Sequence, residues 1–275
     1  MKARLAFALL AMALVAVPPR AARADATEDP LFTAGVLALD DERPNDAVAS
    51  FEALADRGVI DAAVSFDRGL AYAARVRLGA EQPGDLGKAA HGFEEAMALA
   101  EEAQLARDAE RALTQVRTEI GRRRAREGNA VEIEPRRPAW RALSLLLSEN
   151  TWSALAIASS LLLGAGLFFR WKSPTGRRRG ASTTMIAVAV PALVLTAALA
   201  ATARHDRLYL REAVIVAASA RPSDIRGIAL PGGTPLPEGA RVELVGTSAA
   251  WTQVRAGSVE AWIPTSALRP IARPN

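Results

Sequence analysis

The sequence predicts a multidomain chain in which an α-helical repeat domain, two transmembrane helices and a small all-β domain follow one another. Three observations predict it. Two long uncharged stretches lie in the second half, at 152–169 and 182–203. Before them, residues 30–127 are rich in Ala, Leu, Glu and Arg and repeat one pattern of small and aromatic positions. After them, short β-branched runs alternate with Gly and Pro, the signature of strands and turns.

The chain opens with Lys2 and Arg4, an apolar run from Leu5 to Val17, and the tripeptide Ala22-Arg23-Ala24. That order reads as a secretory signal peptide over 1–24, with cleavage before Asp25. An uncleaved anchor helix is the alternative, although the run is short against the ~20 residues that span a bilayer. The segment also decides the charge argument. It holds four of the 34 basic residues and no acid, so the remainder balances thirty bases against thirty acids. A chain near neutrality gives no electrostatic footprint for nucleic acid, and nucleic acid is not an expected partner. Cysteine is absent, which excludes a disulfide framework, a thiol nucleophile and Cys-ligated zinc.

The helical repeat domain is expected over 25–127. Its first unit places Gly35 on one helix and Ala47, Phe51 and Leu54 on the next, with Pro44 opening the second helix. A second unit places Gly69 and Tyr72 on one helix and Ala89, Phe93 and Ala96 on the next, at the same spacing within the last three. These positions resemble the tetratricopeptide repeat, although the early Trp of that family is missing and the turn LGAEQPGDLGK is eight residues longer than its counterpart. The resemblance implies that the glycine lets paired helices approach, the alanine fits the crossing and the aromatic fills the gap between them. It makes Gly35, Ala47, Phe51, Gly69, Tyr72, Ala89 and Phe93 the candidate residues for repeat packing and partner binding. A long helical pattern through Leu105, Ala109, Leu113, Val116 and Ile120 is expected to cap the stack. Arg122, Arg123, Arg124 and Arg126 are read as a solvated helix end that suits the helix dipole, or else as an acidic-partner site. Residues 128–151, with prolines at 135 and 138, read as a linker.

Transmembrane helix 1 is expected over 152–171 and helix 2 over 182–203, joined by a cytoplasmic loop at 172–181 that carries Arg177, Arg178 and Arg179. Trp152 and Trp171 bracket the first span as interface-seeking indoles do. Basic residues also flank both spans on the far side, so the exported N-terminus sets the orientation. Both terminal domains are then periplasmic and the chain sits in a bacterial inner membrane. The Arg cluster is a topology signal, compatible with contact to anionic lipid. Pro191 is expected to kink the second span.

Residues 208–271 are expected to form the all-β domain. Glu238-Gly239-Ala240-Arg241-Val242, Trp251-Thr252-Gln253-Val254, Ala261-Trp262-Ile263-Pro264 and Leu268 resemble bacterial SH3 domains, with Ala261 standing where that family usually has Gly. The resemblance implies an SH3-like barrel. By analogy, Trp251 and Trp262 are the candidate ligand site, with the alternative that both are barrel core and edge.

No phosphate-binding glycine loop is present, and the only histidines are His91 and His205, so no metal site, cofactor or catalytic triad is expected. The pairs Glu94-Glu95 and Glu101-Glu102 read as solvated helix surface. The full order of segments resembles the BatE-like proteins of the bacterial Bat (aerotolerance) operon. That resemblance implies a non-enzymatic scaffold working with membrane-anchored von Willebrand factor A-domain proteins, a BatD-like membrane protein and a MoxR-type ATPase. The competing expectation is a cell-wall module that binds peptidoglycan peptides through the SH3-like domain. A transmembrane sensor is a third, for which the cytoplasmic loop offers little surface.

Overall fold

The computed structural model describes residues 26–126, 128, 143–144, 146–172, 177–231, 233–257 and 259–273. The signal segment 1–24, most of the linker 128–151 and the stretch 173–176 of the loop lie outside the described residues.

Among the described residues a 3-10 turn at Ala26–Glu28 is followed by five α-helices: α1 (Pro30–Asp40), α2 (Pro44–Asp56), α3 (Ala62–Arg77), α4 (Asp85–Leu99) and α5 (Ala103–Arg126). Their starts follow from local chemistry. Asp29 Oδ1 accepts the Leu31 N–H at 2.9 Å and Asp61 Oδ1 accepts the Ala63 N–H at 2.8 Å, each quenching an orphan donor. Pro44 opens α2, where its missing N–H costs nothing. The long turn before α4 is held by a buried ion pair, Arg75 Nε donating to Asp85 Oδ2 at 2.7 Å while Gln82 N–H donates to the same oxygen at 2.7 Å.

The same contact recurs in both helical hairpins. A methyl group on Gly35 would stand 2.7 Å from the Phe51 ring, and one on Gly69 would stand 2.8 Å from the Phe93 ring. Ala47, Phe51 and Leu54, and Ala89, Phe93 and Ala96, are all buried. Gly92 brings α3 and α4 closer still, since a methyl there would lie 2.7 Å from the Ser65 carbonyl oxygen. Ala109, Leu113, Val116 and Ile120 of α5 close the core of this helical body.

Two further helices, α6 (Glu149–Lys172) and α7 (Arg177–Tyr209), are long and apolar enough to cross a membrane. Their apolar windows have mean hydropathies of 1.8 and 2.2 with only 11% and 17% of residues buried, so they are not core helices of the rest of the chain. They pack on each other, Gly166 meeting Ile186, and Arg207 of α7 pairs with Glu149 of α6 at 2.7 Å. Both helices run beyond the expected spans. Arg177, Arg178 and Arg179 therefore belong to the first turn of α7 and not to a loop; their side chains lie outside the described residues. α7 has 33 residues and continues through Pro191. At 1.5 Å per residue it is ~50 Å long, against ~30 Å of hydrocarbon.

Only Leu210 separates α7 from the first of seven strands: β1 (Arg211–Ile215), β2 (Ser219–Ala220), β3 (Leu236–Pro237), β4 (Arg241–Ser248), β5 (Trp251–Ala256), β6 (Val259–Pro264) and β7 (Leu268–Pro270). Five form an antiparallel sheet in the order β6-β5-β4-β1-β7, and β2 pairs with β3. The register shifts between Leu244 and Gly246, a bulge that bends β4. Ala213, Ile215, Val242, Val254 and Ile263 make its apolar core. Among the described residues β6 and β7 do not pair, so the sheet is small and antiparallel and a closed barrel is not shown.

The sheet lies against the helical body, an arrangement for which the sequence offers no sign. Val214 is fully buried and belongs to the helical core, with Ile271 packed beside it. Gly87 of α4 permits this approach: a methyl there would lie 2.6 Å from the Ile215 carbonyl oxygen.

Candidate partner-binding groove

The helical body has two faces, and they differ in what covers them. The face carrying Glu52 of α2 and Glu94 and Glu95 of α4 is joined to the sheet by charge. Arg269 donates to both oxygens of Glu52 at 2.7 and 3.0 Å, and Tyr72 Oη donates to Glu52 at 2.8 Å. Arg241 donates to Glu94 at 2.8 Å and to Glu212 at 2.9 Å, while Arg117 reaches Glu94 from α5 at 2.6 Å. Glu95 accepts from Arg68 at 2.6 Å, from Ser65 at 2.8 Å and from the Ala272 N–H at 3.2 Å. Glu94 and Glu95 are thus buried, contrary to the expectation of a solvated pair; a helix turns only ~100° between neighbours, and α5 with the sheet covers Glu94 while α3 covers Glu95. Glu101 and Glu102 are exposed.

His91 sits inside this network. Its ring stands with Nε2 2.9 Å from the Pro270 carbonyl oxygen and Nδ1 3.4 Å from the Arg68 guanidinium. The carbonyl can only accept and Arg68 can only donate, so the ring is the neutral Nε2–H tautomer. Burial pushes its pKa down in the same sense. Glu238 lies at the start of α4, where the Gly87 N–H donates to it, and burial raises its pKa to about 7. It supplies the side chain that the α4 N-cap, Gly84, lacks.

The other face, built from α1, α3 and α5, carries an open groove of about 700 Å3. Its walls are mostly apolar: Val36 and Leu39 from α1, Leu70 and Ala73 from α3, Ala112 and Val116 from α5, over a floor that includes Phe93. Asp40, Arg77 and the ion-paired Glu119 and Arg123 stand along the groove as well. Asp40 and Arg77 are exposed, whereas Asp67 is half-buried. It lies in the groove, burial raises its pKa to about 6, and no described cation or donor meets it.

Most of the repeat residues singled out from sequence lie behind this groove and not in it. Gly35, Ala47, Phe51, Gly69 and Ala89 are buried between helices, so they shape the surface without touching a partner. Phe93 alone of the seven reaches the lining. Tyr72 belongs to the sheet-facing network, with Arg75 and Lys88 over its ring. The actual lining residues lack a sequence signature beyond their place on the α1, α3 and α5 helices. Arg123 of the basic helix end pairs with Glu81 and Glu119, so it is not simply solvated.

The structure separates the two tryptophans. Trp251 is half-buried and lines a cleft of about 380 Å3 with Ser219, Arg221, Ser223, Pro264 and Ser266, and Gly227 lies under its ring because any side chain there would collide with it. Trp262 is half-buried opposite Gln253 and exchanges backbone hydrogen bonds with Ser223 at 2.9 and 3.0 Å, but it does not line the cleft. Neither ring is in the sheet core, which the neighbours Thr252, Ala261 and Ile263 fill. Among the described residues no group of three or more His, Asp or Glu side chains is placed to hold a metal ion. Comparison with protein-family models, with curated proteins and with solved structures gives no match to this chain.

Proposed function

We propose that this protein is a non-enzymatic membrane-anchored scaffold that docks other envelope proteins through its helical repeats. The observation that carries the proposal is the groove between α1, α3 and α5, apolar and, among the described residues, uncovered, while the opposite face is covered by the chain's own sheet. A membrane helix pair that leads directly into the sheet would hold the groove beside the bilayer. The repeat contacts at Gly35–Phe51 and Gly69–Phe93 favour the tetratricopeptide reading, and the architecture suits a BatE-like role among von Willebrand A-domain and BatD-like membrane proteins. Both soluble parts are assigned to the periplasm on the strength of the signal segment. The test is affinity purification from membranes, comparing the wild-type chain with Ala74→Trp, which fills the groove from α3. Loss of the same co-purifying proteins from the variant, with its fold intact by circular dichroism, supports docking; an unchanged set sinks it.

The Trp251 cleft favours a second reading, a cell-wall module that takes peptidoglycan peptide. The strand order β6-β5-β4-β1-β7, with a 3-10 turn at Thr265–Ala267 before the last strand, suits an SH3-like fold, and Arg221 beside Trp251 suits a peptide carboxylate. Full-length protein should sediment with purified sacculi, and Trp251→Ala should reduce this at least tenfold. Equal sedimentation of the two proteins removes this reading.

A further inference from the structure

The groove's half-buried carboxylate, which no described residue pairs, says what kind of segment it fits. Val36, Leu39, Leu70, Ala73, Ala112 and Val116 offer apolar contact, and from Asp67 to Arg77 the α3 wall runs ten residues, ~15 Å. That length suits about ten residues of a helical segment laid in the groove. The other half-buried and buried carboxylates of the helical body contrast with Asp67. Glu52, Asp85, Glu94 and Glu95 each hold an arginine, with Glu52 and Glu94 tied to the sheet and Glu95 to the Ala272 N–H just beyond it. Asp67 is the half-buried carboxylate that faces outward into the groove with no described partner. Leaving a carboxylate half-desolvated and unpaired is costly, and a cation arriving in the groove recovers that cost.

We propose that the groove takes an apolar segment of a partner protein bearing one lysine or arginine, and that this cation seats on Asp67. The proposal rests on the docking reading of the groove and adds the partner's chemistry to it. An acidic segment is disfavoured, because Asp40, Asp67 and Glu119 stand along the walls and Arg123 is already held by Glu119 and Glu81. Arg77, exposed at the far end of the α3 wall, would meet an acid or a helix C-terminus at the other end of the same segment.

The test uses full-length protein in detergent micelles and a random 14-residue peptide library displayed on phage. Peptides that bind wild type and fail to bind Ala74→Trp are groove-specific. They are expected to carry a Lys or Arg among apolar residues. Replacing that Arg by the isosteric neutral citrulline, or that Lys by norleucine, should weaken binding at least tenfold. On Asp67→Asn the charged and neutral peptides should bind within about twofold of each other, and the wild-type preference should fade as the pH falls below 6. Groove-specific peptides without a cation preference, or a preference that persists on Asp67→Asn, would overturn the proposal while leaving docking in place. Failure to recover any groove-specific peptide overturns both.

Discussion

Replacing Asp67 by Asn should stabilise the protein, by an amount that depends on pH in a fixed direction. The folded carboxyl has its pKa raised to about 6 from an ordinary 3.8, because the groove strips water from it and no described cation meets it. A carboxyl that is harder to ionise in the folded state than in the unfolded state destabilises the fold wherever it is ionised. At pH 3, both states hold the proton and the wild type loses nothing. Between pH 4 and pH 6 the unfolded chain releases its proton first, and stability falls as the pH rises. Above pH 6 to 7 the loss is complete, at about 3 kcal/mol for a shift of roughly two units. For a body of this size 1 kcal/mol moves the melting temperature by ~2–4 °C, so Asp67→Asn should melt roughly 6–12 °C above wild type at pH 7.5 and close to it at pH 3.5. Differential scanning fluorimetry of both proteins in the same detergent across that range reads this directly. Glu238, whose pKa is also raised by burial, titrates in both proteins and cancels in the difference. A variant no more stable than wild type at pH 7.5, or a gain of equal size at both ends of the range, would refute the reasoning.

Three further outcomes follow from other contacts. Arg269→Met removes two hydrogen bonds from Glu52 and leaves that carboxylate half-buried beside Tyr72; with both side chains partly exposed, a loss of about 1–3 kcal/mol is expected, and a double-mutant cycle with Glu52→Gln should show coupling, additive losses counting against the interface. Gly92→Ala should lower the melting temperature, because the new methyl meets backbone of α3 at 2.7–2.8 Å, whereas Gly164→Ala in α6 meets nothing within 4 Å and should be neutral; equal effects would contradict the close crossing of α3 and α4. Because the chain has no cysteine, single cysteines can report its orientation: Thr33→Cys on α1 should react with a membrane-impermeant maleimide in spheroplasts and Gly180→Cys on α7 should not, and the reverse pattern would invert the topology.

The parts of the fold legible in the sequence are those set by short-range spacing. Gly35 and Gly69 stand 34 residues apart, and each meets the aromatic, Phe51 or Phe93, that the repeat spacing nominates. The long uncharged stretches likewise announce their helices, although their ends do not: polar flanks such as Arg177 and His205 carry no signal that a helix must stop. What remained hidden are the contacts made across the chain. Arg241 reaches Glu94 over 147 positions and Arg269 reaches Glu52 over 217, and nothing local distinguishes these arginines from solvated ones. The adjacent pair Glu94-Glu95 looks like helix surface for the same reason; it is buried because Arg241 of the sheet and Arg117 of α5 meet Glu94 while Arg68 of α3 meets Glu95. The groove was legible only as an expectation of repeats, since its lining is ordinary Val, Leu and Ala, and the signal that could have marked Asp67 is an acid set among apolar positions on the same face of α3.

The contact between sheet and helices also changes what an experiment on fragments can mean. A fragment ending near residue 127 would keep the groove but uncover the face of α2 and α4 that Val214, Arg241, Arg269 and Ile271 now fill, leaving Glu52, Glu94 and Glu95 without some of their partners. That face is both apolar and acidic, so such a fragment would capture basic, hydrophobic proteins whether or not the groove takes part. A fragment beginning near residue 208 would expose the complementary arginines and would adhere to acidic surfaces. The two long apolar helices belong to the same unit, because only Leu210 parts α7 from β1 and Arg273 donates to the Asp206 and Arg207 carbonyls at 3.0 and 2.6 Å, capping the helix end. Point changes inside the groove of the full chain therefore separate docking from exposed-interface artefacts, and deletions do not.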